Sequence, residues 1–388
     1  MDKLKVAVVG YGSVAWLQHF PVIARSPKLE LVAVCGPNLE RAQEAASRWA
    51  APATFPDVQA LVNGLAFDAA VIASPNAFHY DQAITLLEAG RHVYVEKPMS
   101  TTNTQAWSMV EAARRNHVKL TIGCHQRFYL QHRWARDLIE QGVIGEVRFA
   151  RTSLHESWRL YQENVAMSDF RLKPELSLAG TLFDQGSHRV DLLLWLMGSQ
   201  PKSLVGIARN VSSPELGESI DDLALITFEC NSGAYGMVTA DKFSPVVSNI
   251  TEIYGTEGIM FATSEVLNPF QSVPLAVYTS RDYDWESLPD ILREYRWPID
   301  FWVSDLIQKP LPKRWISVTP PRVQPFDLIM DDFASSIIDG REPLVSGEDG
   351  ANTMEVLSGV FESMRVGGWV NLPLQHEVFP PAVHRSDP

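Results

Sequence analysis

The chain of 388 residues is poor in cysteine, and this scarcity excludes whole classes of protein. Its three cysteines, Cys35, Cys124 and Cys230, lie far apart in the sequence and form no C-x-x-C pair. Neither a disulfide framework nor a zinc site is therefore expected. The pattern suits a protein of the reducing cytoplasm.

Long apolar runs and an excess of positive charge are missing as well. No apolar run approaches the ~18 residues that a membrane-spanning helix needs. The first strand is expected by Lys5, which leaves no room for a signal peptide. The formal net charge of -13 argues against nucleic acid or a membrane surface as the partner. A helix N-terminus can still bind a phosphate group locally.

What is present is an ordinary globular composition, with 46% hydrophobic and 20% charged residues. At 388 residues the chain is too long for one core, so two domains are expected. We predict an α/β protein with an N-terminal Rossmann-type, doubly wound parallel sheet in residues 1–124. Residues 125–388 predict a C-terminal α+β domain with an open, mainly antiparallel sheet. Within it, residues from about 266 to 325 predict an irregular insertion, interpreted as interface or structural rather than as a lid.

A glycine-rich turn follows the first expected strand. Residues 10–15 have the spacing G-x-G-x-x-A. Gly10 permits the tight turn, Gly12 lets the backbone approach a pyrophosphate, and Ala15 lets the next helix pack closely on the strand. The N–H groups at the start of that helix would face the phosphate. The turn therefore predicts a dinucleotide-binding site.

The end of the second expected strand carries no acid. Leu29–Val34 is followed by Cys35-Gly36-Pro37-Asn38, where a dinucleotide-binding fold commonly has an acid for the ribose hydroxyls. Asn38 could hydrogen-bond one of those hydroxyls. Arg41 could meet a 2′-phosphate, although an exposed charge on the helix surface is the preferred interpretation. The sequence therefore leaves NAD and NADP open.

Two further turn sequences stand at expected strand ends between residues 69 and 98. One strand is followed by Ser74-Pro75-Asn76, and the next by Glu96-Lys97-Pro98. Ligands of open α/β sheets bind at the carboxyl ends of the strands. Lys97 is therefore the predicted chemical centre.

One strong helical pattern stands out in the expected C-terminal domain, at Thr181–Met197. Asp184, His188 and Asp191 are spaced four and three residues apart, on or near one face. Asp184 and His188 could be a structural pair, or an acid–base pair in which Asp184 orients the imidazole. They could also be metal ligands with Asp191 or His155 as a third. The absence of a metal site is the preferred interpretation.

Three local expectations complete the outline. Pro21 predicts a break or kink in the first helix. Ser346–Gly350 predicts a loop before a last helix at Ala351–Arg365. The exposed face of the C-terminal sheet is expected to join chains into a homodimer or homotetramer.

Taken together, these motifs resemble the Gfo/Idh/MocA family of oxidoreductases, which includes glucose–fructose oxidoreductase and inositol dehydrogenase. The segments that carry the resemblance are Gly10–Ala15, Ser74–His79, Glu96–Pro98, Gly123–Phe128, Ala179–Asp191, Asp221–Asp222 and Gly255–Gly258. The resemblance implies an enzyme with NAD or NADP as cofactor. It would transfer hydride between the nicotinamide and a secondary hydroxyl of a sugar, sugar derivative or polyol.

The resemblance also implies roles for individual residues. Lys97 and His188, with Asp184 as their neighbour, would transfer the proton and stabilise the alkoxide. The Lys97–Pro98 peptide would be cis. Cofactor contacts are expected from Gly10, Gly12, Ser13, Val14, Ala15, Gly36, Asn38, Arg41, Ser74, Pro75, Asn76, His79, Glu96, Lys97 and His125. Substrate contacts are expected from Arg127, Trp158, Arg159, Arg171, Asp184 and His188.

Two alternatives of other classes remain open. One is a dinucleotide-binding sensor or regulator of the same fold that has lost its chemistry. The retention of Lys97, Asp184 and His188 together opposes it. The other is a reductase of a non-sugar substrate, such as a dihydrodiol, a tetrapyrrole or an imine. An arginine-rich pocket mildly opposes that alternative, because arginine suits carboxylate or phosphate groups.

Overall fold

A computed structural model describes residues 3–158, 169–214, 217, 219–263, 273–284, 286–295 and 315–380. These residues form two sheets whose strands, β1 to β15 in chain order, are Leu4–Val9, Leu29–Cys35, Ala53–Phe55, Ala69–Ile72, His92–Val95, Leu120–Ile122, Val147–Ser157, Pro201–Arg209, Leu223–Cys230, Tyr235–Asp241, Phe243–Gly255, Gly258–Ala262, Leu275–Thr279, Trp315–Val318 and Val370–Asn371. The α-helices are Phe20–Arg25, Leu39–Trp49, Val58–Gly64, His79–Glu88, Asn103–Arg115, Leu130–Glu140, Pro174–Ser177, Ser187–Met197, Asp290–Glu294, Pro325–Ile338 and Gly347–Val366. No helix in these ranges is both long and apolar enough to cross a bilayer.

The N-terminal sheet is parallel throughout, with the strand order β3-β2-β1-β4-β5-β6. Its central strands β1 and β4 are buried runs of valine, alanine and isoleucine, as expected of strands covered on both faces. The chain reverses its direction of winding between β1 and β4, which makes their carboxyl ends the switch point of the sheet. Gly10 turns the chain there with a φ of 100°, and a Cβ at this position would lie 2.6 Å from the carbonyl oxygen of Ala73. This residue therefore has to be glycine.

The C-terminal sheet has the strand order β14-β13-β12-β11-β7-β10-β9-β8-β15. Its neighbours are antiparallel except for β7 and β10, which run parallel. The helices Ser187–Met197 and Gly347–Val366 pack on one face. On the other face, strand alternation leaves large apolar side chains exposed. The fold class predicted from the sequence is confirmed.

Three local predictions need correction. Residues 53–55 form a short edge strand, β3, that the sequence reading did not include. The stretch from about 266 to 325 is less irregular than predicted, because its described residues contribute β13, β14 and the helix Asp290–Glu294. Both strands extend the edge of the C-terminal sheet.

The last helix starts earlier than predicted. Ser346 accepts a hydrogen bond from the Asp349 backbone, and the Asp349 carboxylate accepts one from the Ser346 backbone. This capping box stabilises a helix start at Gly347, where the sequence suggested a loop. Pro21 is the second residue of the α-helix Phe20–Arg25, which continues without a gap from the π-helical turn Ala15–His19. The chain stays helical through Pro21, and the expected irregularity takes the form of this π turn just before it.

Candidate active site

A cavity of about 1070 Å³ lies between the two sheets. One wall consists of the loops at the carboxyl edge of the N-terminal sheet. The opposite wall consists of β7, β11 and the helical segment that starts at Leu182. Cavities that bind small molecules and cofactors measure about 300–1,000 Å³, so this one is large enough for a dinucleotide together with a substrate.

The glycine turn forms one end of the cavity. Gly10, Gly12, Ser13 and Val14 line it, while Ala15 is buried beneath them and packs on the sheet. Apart from Gly12 and its two chain neighbours, no described residue has an atom within 4 Å of the place where a Cβ of Gly12 would be, so its backbone is open to a ligand. The turn at Gly10 and the packing of Ala15 are as predicted, and the contact of Gly12 with a pyrophosphate stays a prediction.

At the same end of the cavity, next to the glycine turn, Tyr11 contacts Asn38 and Arg41. Its hydroxyl accepts a hydrogen bond from the Asn38 backbone at 2.8 Å, and its ring lies 5.1 Å from the Arg41 guanidinium carbon. The Asn38 side chain accepts from the Arg41 backbone at 3.0 Å and so caps the helix Leu39–Trp49. Gly36 and Arg41 also line the cavity. Arg41 keeps its guanidinium exposed, whereas the Asn38 carbonyl oxygen is already used.

The loop after β4 forms the middle of the cavity wall and is held by hydrogen bonds. Both ring nitrogens of His79 lie within 2.9 Å of backbone carbonyl oxygens, those of Pro98 and Ser74. Asn76 donates a hydrogen bond to the carbonyl of Ser177 at 3.1 Å and so reaches the C-terminal domain. Pro75 lies on the cavity wall between these contacts. His79 therefore holds two loops together at the cavity wall, and its contact with a cofactor stays a prediction.

Lys97 extends from the carboxyl end of β5 towards the opposite wall. Its Nζ donates to the backbone carbonyl of Asp184 at 2.8 Å and to Asp184 Oδ1 at 2.6 Å. The Lys97–Pro98 peptide is cis, as the resemblance implied. Glu96 turns the other way, into the N-terminal core, where its carboxylate lies 2.9 Å from His19 Nε2.

Asp184 is surrounded by cations. Besides Lys97, its Oδ2 lies 2.7 Å from Lys242 Nζ, and Arg171 Nε lies 3.5 Å from Oδ1. Burial alone would raise the pKa of Asp184. The charges of Lys242, Lys97 and Arg171 outweigh burial and hold this pKa well below its usual range. The carboxylate is therefore ionised at neutral pH.

His188 lines the cavity beside this cluster without a bond to it. Its ring packs edge-on against His125, with 4.8 Å between centroids, and its Nδ1 has no hydrogen-bond partner among the described residues. Burial, then the charge of Lys97, lowers the pKa of His188 well below 6.5. Burial likewise lowers the pKa of His125 to about 4. His188 is therefore a neutral imidazole that can accept a proton.

The interpretation in which Asp184 orients the His188 imidazole is not supported by this geometry. Both carboxylate oxygens of Asp184 contact lysines. Residues Leu182–Gly186 form a π-helical turn before the α-helix Ser187–Met197. Because a π turn is wider than an α turn, residues four apart no longer share one line along the helix.

Two of the predicted substrate residues differ in their surroundings. Trp158 lines the cavity, and its indole N–H has no hydrogen-bond partner among the described residues. Arg171 also lines the cavity and stacks on Phe170. Arg159 lies outside the described residues.

Arg127, also predicted to contact substrate, does not line the cavity. Its guanidinium donates to Asp191 at 2.8 and 2.6 Å and to the carbonyl of Leu344 at 2.9 Å, and it lies 3.2 Å from Asp349. The helix Ser187–Met197 thus points Asp191 away from Asp184 and His188. Arg127 serves as a tie between elements, not as a surface for a ligand.

Three residues of the cavity wall were not predicted from the sequence: Glu156, Gln185 and Asn249. Lys242, which lies behind this wall, was not predicted either. The Lys242 ammonium is buried between Asp184 and Glu156. A signal for Glu156 was present, because the alternation along β7 puts it on the same inward face as Thr152 and Leu154. Lys242 left no comparable signal. Within the described ranges, no three His, Cys, Asp or Glu side chains are arranged to hold a metal ion.

Comparisons with known proteins agree with this geometry. A sequence model described as the oxidoreductase family with an NAD-binding Rossmann fold matches residues 4–124, and one described as the GFO/IDH/MocA C-terminal domain matches residues 132–261. The D-glucoside 3-dehydrogenase of Escherichia coli (strain K12) is 31% identical over 249 residues, which cover 60% of this chain and 68% of that protein. The scyllo-inositol 2-dehydrogenase (NAD(+)) of Bacillus subtilis (strain 168) is 22% identical over 97% of each chain.

Solved structures share the fold. An oxidoreductase domain protein from Kribbella flavida superposes with a TM-score of 0.78 at 25% identity, covering 96% of this chain and 100% of that one. A levoglucosan dehydrogenase in complex with NADH and levoglucosan has a TM-score of 0.77 at 20% identity, with the same coverage. The second likeness concerns the fold alone.

Proposed function

The chain belongs to the GFO/IDH/MocA family of oxidoreductases, and we propose that it transfers hydride between NAD or NADP and a secondary hydroxyl of a sugar, sugar derivative or polyol. The observation that carries this proposal is the meeting of the Lys97 ammonium and the neutral His188 imidazole at one end of a cavity. The other end of that cavity is a glycine turn with an open backbone. Related proteins named as glucoside and inositol dehydrogenases support the substrate class.

The chemistry requires two protein groups at the reacting carbon. Oxidation of a carbinol removes a hydride from carbon and a proton from oxygen, and leaves a carbonyl. When bound, the nicotinamide ring accepts the hydride. His188, whose imidazole lines the cavity, is placed to accept the proton, and Lys97 to donate a hydrogen bond to the developing alkoxide. Asp184 holds the Lys97 ammonium in position through two hydrogen bonds.

The residues of the glycine-turn end fit a dinucleotide. The backbone of Gly12 and the helix start at Val14 would face the pyrophosphate. Ser74 and Asn76 would face the middle of the cofactor, and His125 would pack near the nicotinamide. The adenosine ribose would lie near Asn38 and Arg41, where the strand β2 ends without an acid.

The experiment that tests the proposal is a combined binding and activity screen. Purified protein is titrated with NADH and NADPH by quenching of its tryptophan fluorescence. It is then given NAD⁺ or NADP⁺ with methyl β-D-glucopyranoside, levoglucosan, scyllo-inositol or D-glucose, and formation of reduced cofactor is followed at 340 nm. Binding with oxidation of at least one of these compounds is the expected result. Binding without any oxidation would favour the sensor alternative, and folded protein that binds neither cofactor would contradict the proposal.

We also propose that two chains associate through the open face of the C-terminal sheet. The strand register brings large side chains into one row across that face: Tyr235, Phe149, Tyr254, Ile259, Tyr278 and Trp315. Ile207, Leu225 and Met237 are exposed on the same face. Exposed apolar patches of this kind commonly mark an interface.

A charge placed on this face tests the association. Met237→Glu should convert a dimer or tetramer to a monomer in sedimentation equilibrium at micromolar concentration. Val366→Glu is a matched control, because Val366 is also exposed but ends a helix elsewhere. A wild-type protein that is monomeric, or a Met237→Glu variant that associates unchanged, would contradict the proposal.

The proposed compartment is the cytoplasm. The thiols of Cys35, Cys124 and Cys230 are all free and buried. Burial raises the pKa of Cys35 and of Cys230 to about 12, so these two thiols are unreactive. Free thiols suit a reducing compartment. Localisation of a fluorescent fusion tests the assignment.

A further inference from the structure

A fully buried lysine lies behind the wall of the active site. Lys242 occupies the connection between β10 and β11, and its side chain is 0% exposed. Its Nζ lies 2.7 Å from Asp184 Oδ2, donates to Glu156 Oε1 and sits 4.7 Å from the centre of the Trp158 ring. Lys242 does not line the cavity, but all three of these partners do.

The stability of the fold alone does not explain why a lysine is buried here. Removing an ammonium and a carboxylate from water is costly, and a buried ion pair can often be replaced by apolar side chains without loss of stability. Here one cation contacts two carboxylates, and both of them face the cavity. The arrangement therefore points to a role in the chemistry of the cavity.

We propose that Lys242 is a positioning residue for hydride transfer, which holds one oxygen of Asp184 so that the other oxygen stays on Lys97. The four charges alternate in sign along the chain of contacts Glu156, Lys242, Asp184 and Lys97. Lys242 fixes the orientation of the Asp184 carboxylate from behind, and Asp184 in turn fixes the direction of the Lys97 ammonium into the cavity. This inference rests on the proposed function of the site and adds a residue to it.

The charges around Asp184 predict how loss of Lys242 would change the pKa of this carboxyl group. The groups that face it are Lys97 from the end of β5, Lys242 from the β10–β11 connection and Arg171 from the segment Asp169–Leu172, with His188 on its own helical segment. Burial raises the pKa of Asp184, and Lys242 provides the largest opposing effect. Without Lys242 this pKa rises, so Asp184 takes up a proton at a higher pH and releases Lys97 there.

The test compares Lys242→Met with the double variant Lys242→Met/Glu156→Gln. Methionine keeps the length and the apolar stem of lysine. The single variant leaves the buried Glu156 without its cation, which should lower thermal stability. The double variant removes both charges and should recover that stability. Lys28→Met is the matched control, because Lys28 forms a partly exposed pair with Asp331 away from the cavity.

The readouts are kcat, KM and the pH profile with the saturating cofactor and methyl β-D-glucopyranoside, levoglucosan or scyllo-inositol as substrate. Both Lys242 variants should lose about 10²-fold in kcat, the usual size of a misplacement of a catalytic group. Sugar KM should change much less, and the acid limb of the rate should move to higher pH. A double variant that recovers both the rate and the acid limb of the wild type would overturn the proposal, because Lys242 would then only neutralise Glu156.

A separate readout distinguishes failure of this inference from failure of the proposed function. If the wild-type protein oxidises none of the four compounds of the activity screen, the proposed function is at fault. Crystal structures of the wild type and the double variant with NADH then decide the role of Lys242. An Asp184 carboxylate turned away from Lys97 in the variant supports positioning. An unchanged Asp184–Lys97 contact overturns it.

Discussion

Two carboxylates seven residues apart on one helical segment have opposite surroundings. Asp184 pairs with Lys97, and Asp191 pairs with Arg127. Both cations come from the carboxyl edge of the N-terminal sheet, after β5 and β6. Side-chain exposure is 16% and 11% in the first pair but 0% and 2% in the second.

The difference lies in what surrounds each pair, not in the pair itself. The Arg127 guanidinium also bonds the Leu344 carbonyl and contacts Asp349, so protein groups enclose it completely. Lys97 and Asp184 instead face a cavity, next to the neutral imidazole of His188. An ion pair can take part in a reaction when it borders a cavity and lies beside a group that can accept a proton.

Loss of Lys97 is the largest expected effect on activity. Lys97→Ala should lower kcat by about 10²–10⁴-fold, the usual size of a lost acid–base group. Asp184 keeps Lys242 and Arg171 as partners, so the fold should persist. The measurement is the initial rate of NAD(P)H formation at saturating cofactor, with thermal unfolding as the control for an intact fold. Normal turnover would mean that the open pair has no catalytic role.

Loss of Arg127 should lower the stability of the fold and leave the rate nearly unchanged. Arg127→Met leaves Asp191 buried and unpaired, which should destabilise the protein by about 3–5 kcal/mol. The kcat of the folded fraction should stay within about threefold of the wild type, since Arg127 does not reach the cavity. Urea unfolding measures the first quantity. The variant Arg127→Met/Asp191→Leu should recover most of the stability, and a rate as low as that of Lys97→Ala would contradict the comparison.

The pH dependence of kcat/KM sharpens the account of the open pair. Burial and then Lys97 lower the pKa of His188 below 6.5, so the imidazole stays neutral until the pH falls below that value. Oxidation needs the neutral form to accept a proton, so kcat/KM should decline only below pH 6.5. The kcat/KM profile reports groups of the free enzyme. A decline centred above pH 7 would contradict His188 as the acceptor.

A third cation, Arg41, gives the smallest expected effect. It faces the cavity, stacks on Tyr11 and has no carboxylate partner among the described residues. Arg41→Ala should weaken NADPH binding by roughly tenfold or more, since a hydrogen bond to a charged group contributes about 1.5–3 kcal/mol. NADH should change less. Fluorescence titration measures both, and an equal loss for the two cofactors would show that Arg41 acts only through Tyr11.

The sequence predicted those parts of the site that depend on residues close together in the chain. The glycine turn at residues 10–15 and the position of Lys97 after β5 follow from local chain geometry and from the topology of a parallel sheet. The meeting of Lys97 with Asp184 and His188 rested on a family resemblance, and the structure brings these residues to one cavity.

The remaining parts depend on directions that spacing does not encode. The motif around Arg127 suggested a substrate residue, but only the packed structure reveals that its side chain turns to Asp191. The π turn at Leu182–Gly186 separates Asp184 from the His188 imidazole, and no spacing rule predicted it. Lys242 and Glu156 meet across 86 residues of sequence, with no motif around either.

The most direct test of the account is a crystal structure of the protein with bound NADH. The pyrophosphate should lie on the backbone of Gly12 and the adenosine near Arg41. The nicotinamide ring should lie at the end of the cavity where Lys97 and His188 meet. A nicotinamide bound away from Lys97, or a dinucleotide bound outside this cavity, would contradict the assignment of the Asp184–Lys97 pair to catalysis.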